Sequence, residues 1–152
     1  MNRRNIILIV VLAVAAGFGV YRVVKHYFTS EEARIRKLMR EVEENFEGKK
    51  LDKCLDVVCD DYSDNFLHNS KDDLEESLRT LFPASRRISV HLEDIVIEIR
   101  GDEATIAVTA TGTAVTIIGD MSLHDEAGYT RFILSVRKEG GRWKVFRAEG
   151  VE

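Results

Sequence analysis

The side chains that could do chemistry in this chain form a short inventory. The 152 residues hold four histidines and two cysteines. His68, His91 and His124 lie far apart in sequence. Only His124-Asp125-Glu126 places three donor types side by side, and a solvated loop explains that triplet more simply than a cation site does. Cys54 and Cys59 are five residues apart. On one helix that spacing turns them about 140° around the axis, beyond disulfide reach. A bridge would need the helix to stop near Val57, so two small buried thiols is the simpler reading. Acid–base chemistry would fall to Tyr62, His91, Asp94, Tyr129 or Arg131. His91 has the opposite strand parity from Ile88, Val90 and Leu92. Tyr129 and Arg131 have the opposite parity from Phe132, Leu134 and Val136. All three are therefore expected to face solvent or a partner, and Tyr62 to be a packing residue with a wet hydroxyl. No glycine-rich phosphate loop, HExxH or paired CxxC is present. The expectation is no catalytic residue, no metal site and no cofactor.

The elements that would position these groups follow from periodicity. Thr29-Ser30-Glu31-Glu32 reads as a capping box opening a helix. Ile35, Leu38, Met39, Val42 and Phe46 then fall on one face, and Gly48 ends it. A short helix fits Leu51, Leu55 and Val58. Asp60 to Asn65 reads as a polar turn or short extended segment. Ser70-Lys71-Asp72-Asp73 is a second capping box, opening a helix with Leu74, Leu78, Leu81 and Phe82 inward and Pro83 at its end. The period then changes to two. Ile88, Val90 and Leu92 alternate with polar residues, and Ile95, Ile97 and Ile99 continue on the opposite parity. A bulge at Glu93-Asp94 would account for the switch. Arg100-Gly101-Asp102-Glu103 and Glu139-Gly140-Gly141-Arg142 are turns, and Gly119-Asp120 closes the strand between them. Helices followed by four long antiparallel strands mean an α+β domain, with three N-terminal helices packed on a curved, cone-shaped antiparallel sheet.

The first 28 residues differ from the rest. Ile6 to Val24 contains one charge, Arg22. As a helix this run is roughly 28 Å long, close to the hydrocarbon thickness of about 30 Å. Ile6, Leu8, Val11, Leu12, Phe18 and Tyr21 would form the membrane anchor, with Tyr21, Tyr27 and Phe28 at the interface. A cleaved leader is the competing reading, since Arg3 and Arg4 precede the apolar run and Ala13-Val14-Ala15 resembles a cleavage site. Residues 1–28 are thus read as tail and anchor and 29–152 as the domain. The short arginine-bearing tail favours a single-pass protein of the cytoplasmic membrane with its domain outside. All 26 acidic residues follow Thr29, leaving that part eight charges negative. Such a domain is a poor fit to nucleic acid, where affinity comes from phosphate neutralisation.

The element order resembles the nuclear-transport-factor-2-like (SnoaL-like, cystatin-like α+β) superfamily. The resemblance rests on a long amphipathic helix leading into Lys53-Cys54-Leu55-Asp56-Val57-Val58, the Asp60-Asp61-Tyr62-Ser63-Asp64 corner, the Ser70 capping box, and long strands ending in Gly141-Arg142-Trp143-Lys144-Val145. It covers about Glu31 to Glu152. The resemblance implies a cone with a pocket, and homodimers through the sheet. Catalytic relatives place a carboxylate or histidine base inside the cone, and no such motif is matched here. The main expectation is a non-catalytic, membrane-anchored interaction or assembly module, with membrane-complex proteins as partners. The alternative is a small-molecule binder whose cone is lined by Phe46, Tyr62, Phe66, Leu81 and Phe82. An isomerase- or dehydratase-type enzyme is the third reading.

Overall fold

A computed structural model describes the backbone of residues 3–67, 70–122, 125 and 129–151, and the side chains of these apart from residues 3–11 and 28. The chain forms two compact units, Met1–Ala33 and Arg34–Glu152. The element order is α1 (Arg3–Glu47), α2 (Leu51–Asp56), β1 (Val58–Asp64), α3 (Lys71–Ala84), β2 (Ser85–Arg100), β3 (Glu103–Thr116), β4 (Gly119–Ser122), β5 (Arg131–Glu139) and β6 (Arg142–Val151).

Three expectations about the helices change. The expected anchor helix and first domain helix fall within one element, α1, so the elements given ranges among the described residues include three helices and not four. Thr29 caps nothing: its hydroxyl donates to the Lys25 carbonyl at 2.8 Å, one turn back inside α1. Back-bonding of this kind lets a threonine sit within a helix. Among the described residues, no helix is long and apolar enough to cross a membrane, so a transmembrane helix is not supported. Ile6, Leu8 and Val11 of the expected anchor lie outside the residues whose side chains are described. Leu12, Phe18 and Tyr21 are described, and all three are exposed. Pro83 does not stop α3, which includes it and ends at Ala84. The Ser70 box forms as expected. Ser70 Oγ accepts from the Asp73 N–H at 3.2 Å and donates to the Asp73 carboxylate at 2.9 Å.

The sheet has six strands in the order β1-β6-β5-β3-β2, with β4 paired to one end of β3. It is mixed and not purely antiparallel, because β1 runs parallel to β6. Of the two readings of Asp60–Asn65, turn or short extended segment, the extended one describes most of it, which is β1; Cys59 and Asp61 point to the outer face while Val58 and Tyr62 point to the core. The bulge in β2 is present, with the register shifting between Glu93 and Val96. Asp94 takes φ +52° there, a left-handed conformation that aspartate tolerates better than most residues.

The helices cover one face. Ile35, Leu38 and Met39 of α1 and Leu74, Leu78 and Phe82 of α3 pack with Ile88, Ile106, Val136, Trp143 and Val145 of the sheet. Two carboxylates fix α1 to the sheet margin. Glu43 accepts from the Leu92 N–H at 2.6 Å and Glu47 from the Val90 N–H at 3.0 Å. Helical spacing of four residues thus matches strand spacing of two, and the edge of β2 is capped. Lys49 leaves α1 at φ +52°, held by its ammonium on the Ser85 carbonyl at 2.7 Å.

At the opposite margin, charge ties β1 across β6 to β5. Arg137 donates to both oxygens of Asp61, at 2.9 and 2.6 Å, and to Glu139 at 2.7 Å. The guanidinium beside them holds both carboxyls below their ordinary range. Depressed carboxyl pKa values give stability that is complete above the unfolded-state values and is lost as pH falls through the folded ones. Urea midpoints are therefore expected to fall below about pH 4. Asp61→Asn should flatten that acid limb while leaving the midpoint at pH 7 lower than wild type. A second test concerns Gly150. A Cβ there would collide with the Tyr129 ring, so Gly150→Ala should cost about 1–3 kcal/mol in urea unfolding. Adding Tyr129→Ala should recover part of that loss.

Candidate functional site

The two faces of the sheet differ in chemistry. The inward positions are Ile88, Val90, Leu92, Ile95, Ile97 and Ile99 on β2, Ala104, Ile106, Val108, Ala110 and Ala114 on β3, Phe132, Leu134 and Val136 on β5, and Trp143, Val145 and Ala148 on β6. None of these can titrate as an acid or base. They fall into two buried clusters. The larger lies under α1 and α3. The smaller comprises Val108, Ala110 and Phe132, with Phe66, Leu92, Ile95, Tyr129 and Leu134 packed against it. Phe66, Leu92, Ile95 and Leu134 border both clusters. Leu134 sits mid-strand on a central strand, yet it stays only partly buried, as do Val90, Leu92, Ile95, Ile97 and Ile99. The helices leave this stretch of concave apolar surface incompletely covered.

The five expected lining residues divide between these regions. Phe46 and Phe82 meet edge to face at 6.1 Å between centroids, and Leu81 packs with the same cluster. Phe66 instead meets Phe132, at 5.0 Å. Tyr62 is buried, and its hydroxyl donates to Asp64 at 3.0 Å. Burial first, and the Asp64 carboxylate second, push its ionisation far above the ordinary range, so it stays a neutral donor. The other oxygen of Asp64 accepts from the Phe66 and Leu67 N–H groups at 3.1 and 2.9 Å. This turn aims Phe66 at the second cluster. Leu92, Ile95 and Leu134 were not named as lining residues, although their strand parity already placed them inward. Tyr129, expected to face outward, packs against Gly150 and the second cluster. It precedes β5, so strand parity does not govern it.

The outer face is polar. Ser89 pairs with Thr113, and Thr113 with Ser122, while His91 pairs with Thr111. With Gly112 these residues line an open groove of about 370 Å³. His91 is exposed as expected, with Nε2 at 2.9 Å from the Glu93 carboxylate. Ser122 donates to Asp125 at 2.6 Å. His68, His124 and Glu126 lie outside the described residues. Asp94 and Arg131 are exposed on the same face.

Among the described residues, Cys59, Asp61 and Glu139 bring one potential ligand atom each within 4.8 Å of one another. Arg137 already bonds both carboxylates, so the cluster is satisfied by an internal cation. Burial first, then Glu139, pushes the Cys59 thiol up to about 11, and burial alone takes Cys54 to about 11. Both cysteines are buried and free. Thiols held protonated at neutral pH are poor nucleophiles.

No family profile matches this chain, and no curated protein matches it in sequence. Solved structures do match its fold. One is described as a proposed scytalone dehydratase from Novosphingobium aromaticivorans, with TM-score 0.72 and 17% identity, covering 82% of this chain and 85% of that one. A nuclear-transport-factor-2-like protein of unknown function from Pseudomonas putida has TM-score 0.62 and 15% identity, covering 80% and 85%. A hexachlorocyclohexane dehydrochlorinase has TM-score 0.63 and 10% identity, covering 81% and 85%. The folded part therefore has the nuclear-transport-factor-2-like, cystatin-like α+β fold, one found in dehydratases, a dehydrochlorinase and proteins of unknown function alike.

Proposed function

We propose that the folded unit binds a small, largely apolar molecule on its concave face without transforming it. One observation carries the reading: Leu134, Ile95, Ile97 and Ile99 remain reachable at inward positions, while among the described residues the inward positions of β2, β3, β5 and β6 named above bear no titratable group. A lining of this composition gains free energy by removing apolar ligand surface from water. It offers nothing to move a proton, which argues against the isomerase- or dehydratase-type reading. The Tyr62 hydroxyl is committed to Asp64.

A second reading rests on the outer face. Val96, Ala107 and Ile133 pair in one row across β2, β3 and β5. Acidic Glu93 and Glu98 flank this row on the β2 side; on the β5–β6 side basic Arg131 flanks it, and Glu149, paired with Ile133 and bridged to Arg147, ends it. A second copy rotated about an axis along the strands would set Glu93 and Glu98 against Arg131. This arrangement supports the interaction-module reading through a homodimer. The exposed Leu12, Val14, Phe18, Val20, Tyr21 and Val23 of the first unit support association of that unit with a membrane surface.

Three measurements test these readings. An apolar fluorescent naphthylamine should bind the purified full chain at about one per folded unit, with a micromolar dissociation constant. Leu134→Trp, which adds bulk to the concave face, should weaken it by at least about tenfold with circular dichroism unchanged. Equal binding by the variant would sink the pocket reading. Ile133→Asp should convert a dimer to a monomer in sedimentation if the outer face pairs copies, and should leave probe binding intact. Native membranes floated on a density gradient should carry the chain with the lipid, and its recovery in the lipid-free fractions would remove the membrane assignment.

A further inference from the structure

The turn between β3 and β4 presents two isoleucines to water. Ile117 is 73% exposed and Ile118 is 95% exposed, although both are large and apolar. The turn itself is ordered. Buried Thr116 donates its hydroxyl to the Gly119 carbonyl at 2.6 Å and accepts from the Ile118 N–H at 3.3 Å. Gly119 takes φ +143°, a conformation that side chains rarely adopt. The isoleucines are thus held outward by a fixed scaffold.

Strand register surrounds this tip with positive charge. Thr116 pairs with Ser85, and Val115 with Arg87. Arg86 and Arg87 therefore stand beside the hairpin end, both exposed. The Lys49 ammonium sits on the Ser85 carbonyl, and exposed Lys50 follows it. Among the described residues, Lys50, Arg86 and Arg87 form no ion pair with a carboxylate. The acidic groups flanking these cations are Asp120, paired with Val115, Glu47, already engaged by the Val90 N–H, Glu44, one turn before Gly48, and Asp52, two residues after Lys50. Glu44 and Asp52 flank the two lysines, whereas Arg86 and Arg87, next to the tip itself, give it a positive collar on a domain that is negative as a whole.

We propose that this hairpin tip is a membrane-docking element, with Ile117 and Ile118 entering the headgroup–acyl boundary of an anionic bilayer. Lys49, Lys50, Arg86 and Arg87 would sit over the lipid phosphates. The collar supplies the charge complementarity, since basic residues near an anionic surface add to its attraction for an apolar insert. The convex shape favours a bilayer over a protein. A protruding two-residue tip needs a matching socket on a protein partner, whereas lipid closes around it. The inference is independent of the concave-face ligand and of the N-terminal unit.

The test places a reporter at the tip. Ile118→Cys in the full chain is labelled with an environment-sensitive nitrobenzoxadiazole dye, the native Cys54 and Cys59 being buried. The labelled chain is added to phosphatidylcholine vesicles with or without one third phosphatidylglycerol. The expected result is a blue-shifted, several-fold brighter emission with the anionic vesicles. Arg86→Glu with Arg87→Glu should abolish that response while circular dichroism stays unchanged. Emission that stays water-like at both compositions overturns the proposal. So does a blue shift that follows protein density and ignores lipid charge, because the tip would then be covered by protein.

Discussion

At Glu93 and Asp94 two demands on β2 collide. The strand must continue its ladder with β3 from Ser85 to Arg100, and it must also curve so that both halves face the helices. A straight strand of that length would carry one half of its apolar residues away from the core, because sheet twist accumulates along it. The inserted residue resolves the conflict by resetting parity and bending the strand. Ile88, Val90 and Leu92 then share the inner face with Ile95, Ile97 and Ile99. Asp94 absorbs the strain in a left-handed conformation, with Thr109 as a weak hydroxyl partner at 3.4 Å. The concave face depends on that one extra residue. So does the grip of α1, since Glu43 and Glu47 reach only the half of β2 before the bulge.

What the sequence made legible follows from this physics. Parity changes are written in residue types, so the bulge could be read from the isoleucine pattern alone. The Ser70 box could be read because its partner, Asp73, is three residues away. Thr29 misled for a related reason. Its local pattern matches a cap, but a continuous apolar and amphipathic run on both sides outweighs a cap of about 1 kcal/mol. β1 is left open between a turn and an extended segment because it is the parallel edge strand. Its outer positions carry Asp61 and Ser63, and its pairing partner, β6, lies some eighty residues away. Nothing local records such a pairing.

The candidate site was legible by halves. Aromatic residues announced themselves as lining candidates, yet Phe46 and Phe82 pack edge to face against each other. The residues left partly open are the aliphatic ones of β2 and β5. Sequence gives their inward direction but not their accessibility, which depends on where α1 and α3 stop covering the sheet. Coverage is a tertiary property. The same holds for Arg137, whose two carboxylate partners lie two residues away on its own strand and across β6 on β1.

Inner and outer faces divide the chemistry of this domain in a way that bears on function. Every titratable side chain on the four long strands points outward or sits at a strand end, and most outer charges have nearby partners: Arg100 with Glu98, Arg147 with Glu149, His91 with Glu93. Exposed pairs of this kind add little stability. Their consequence is to leave the surface electrostatically quiet except where pairing fails. Among the described residues Arg131 and Lys144 also form no ion pair, but only at the β3–β4 end do such cations, Arg86 and Arg87, flank two uncovered isoleucines. A fold that satisfies most of its charges elsewhere, and leaves cations and apolar side chains together at one rigid turn, concentrates its adhesive chemistry there.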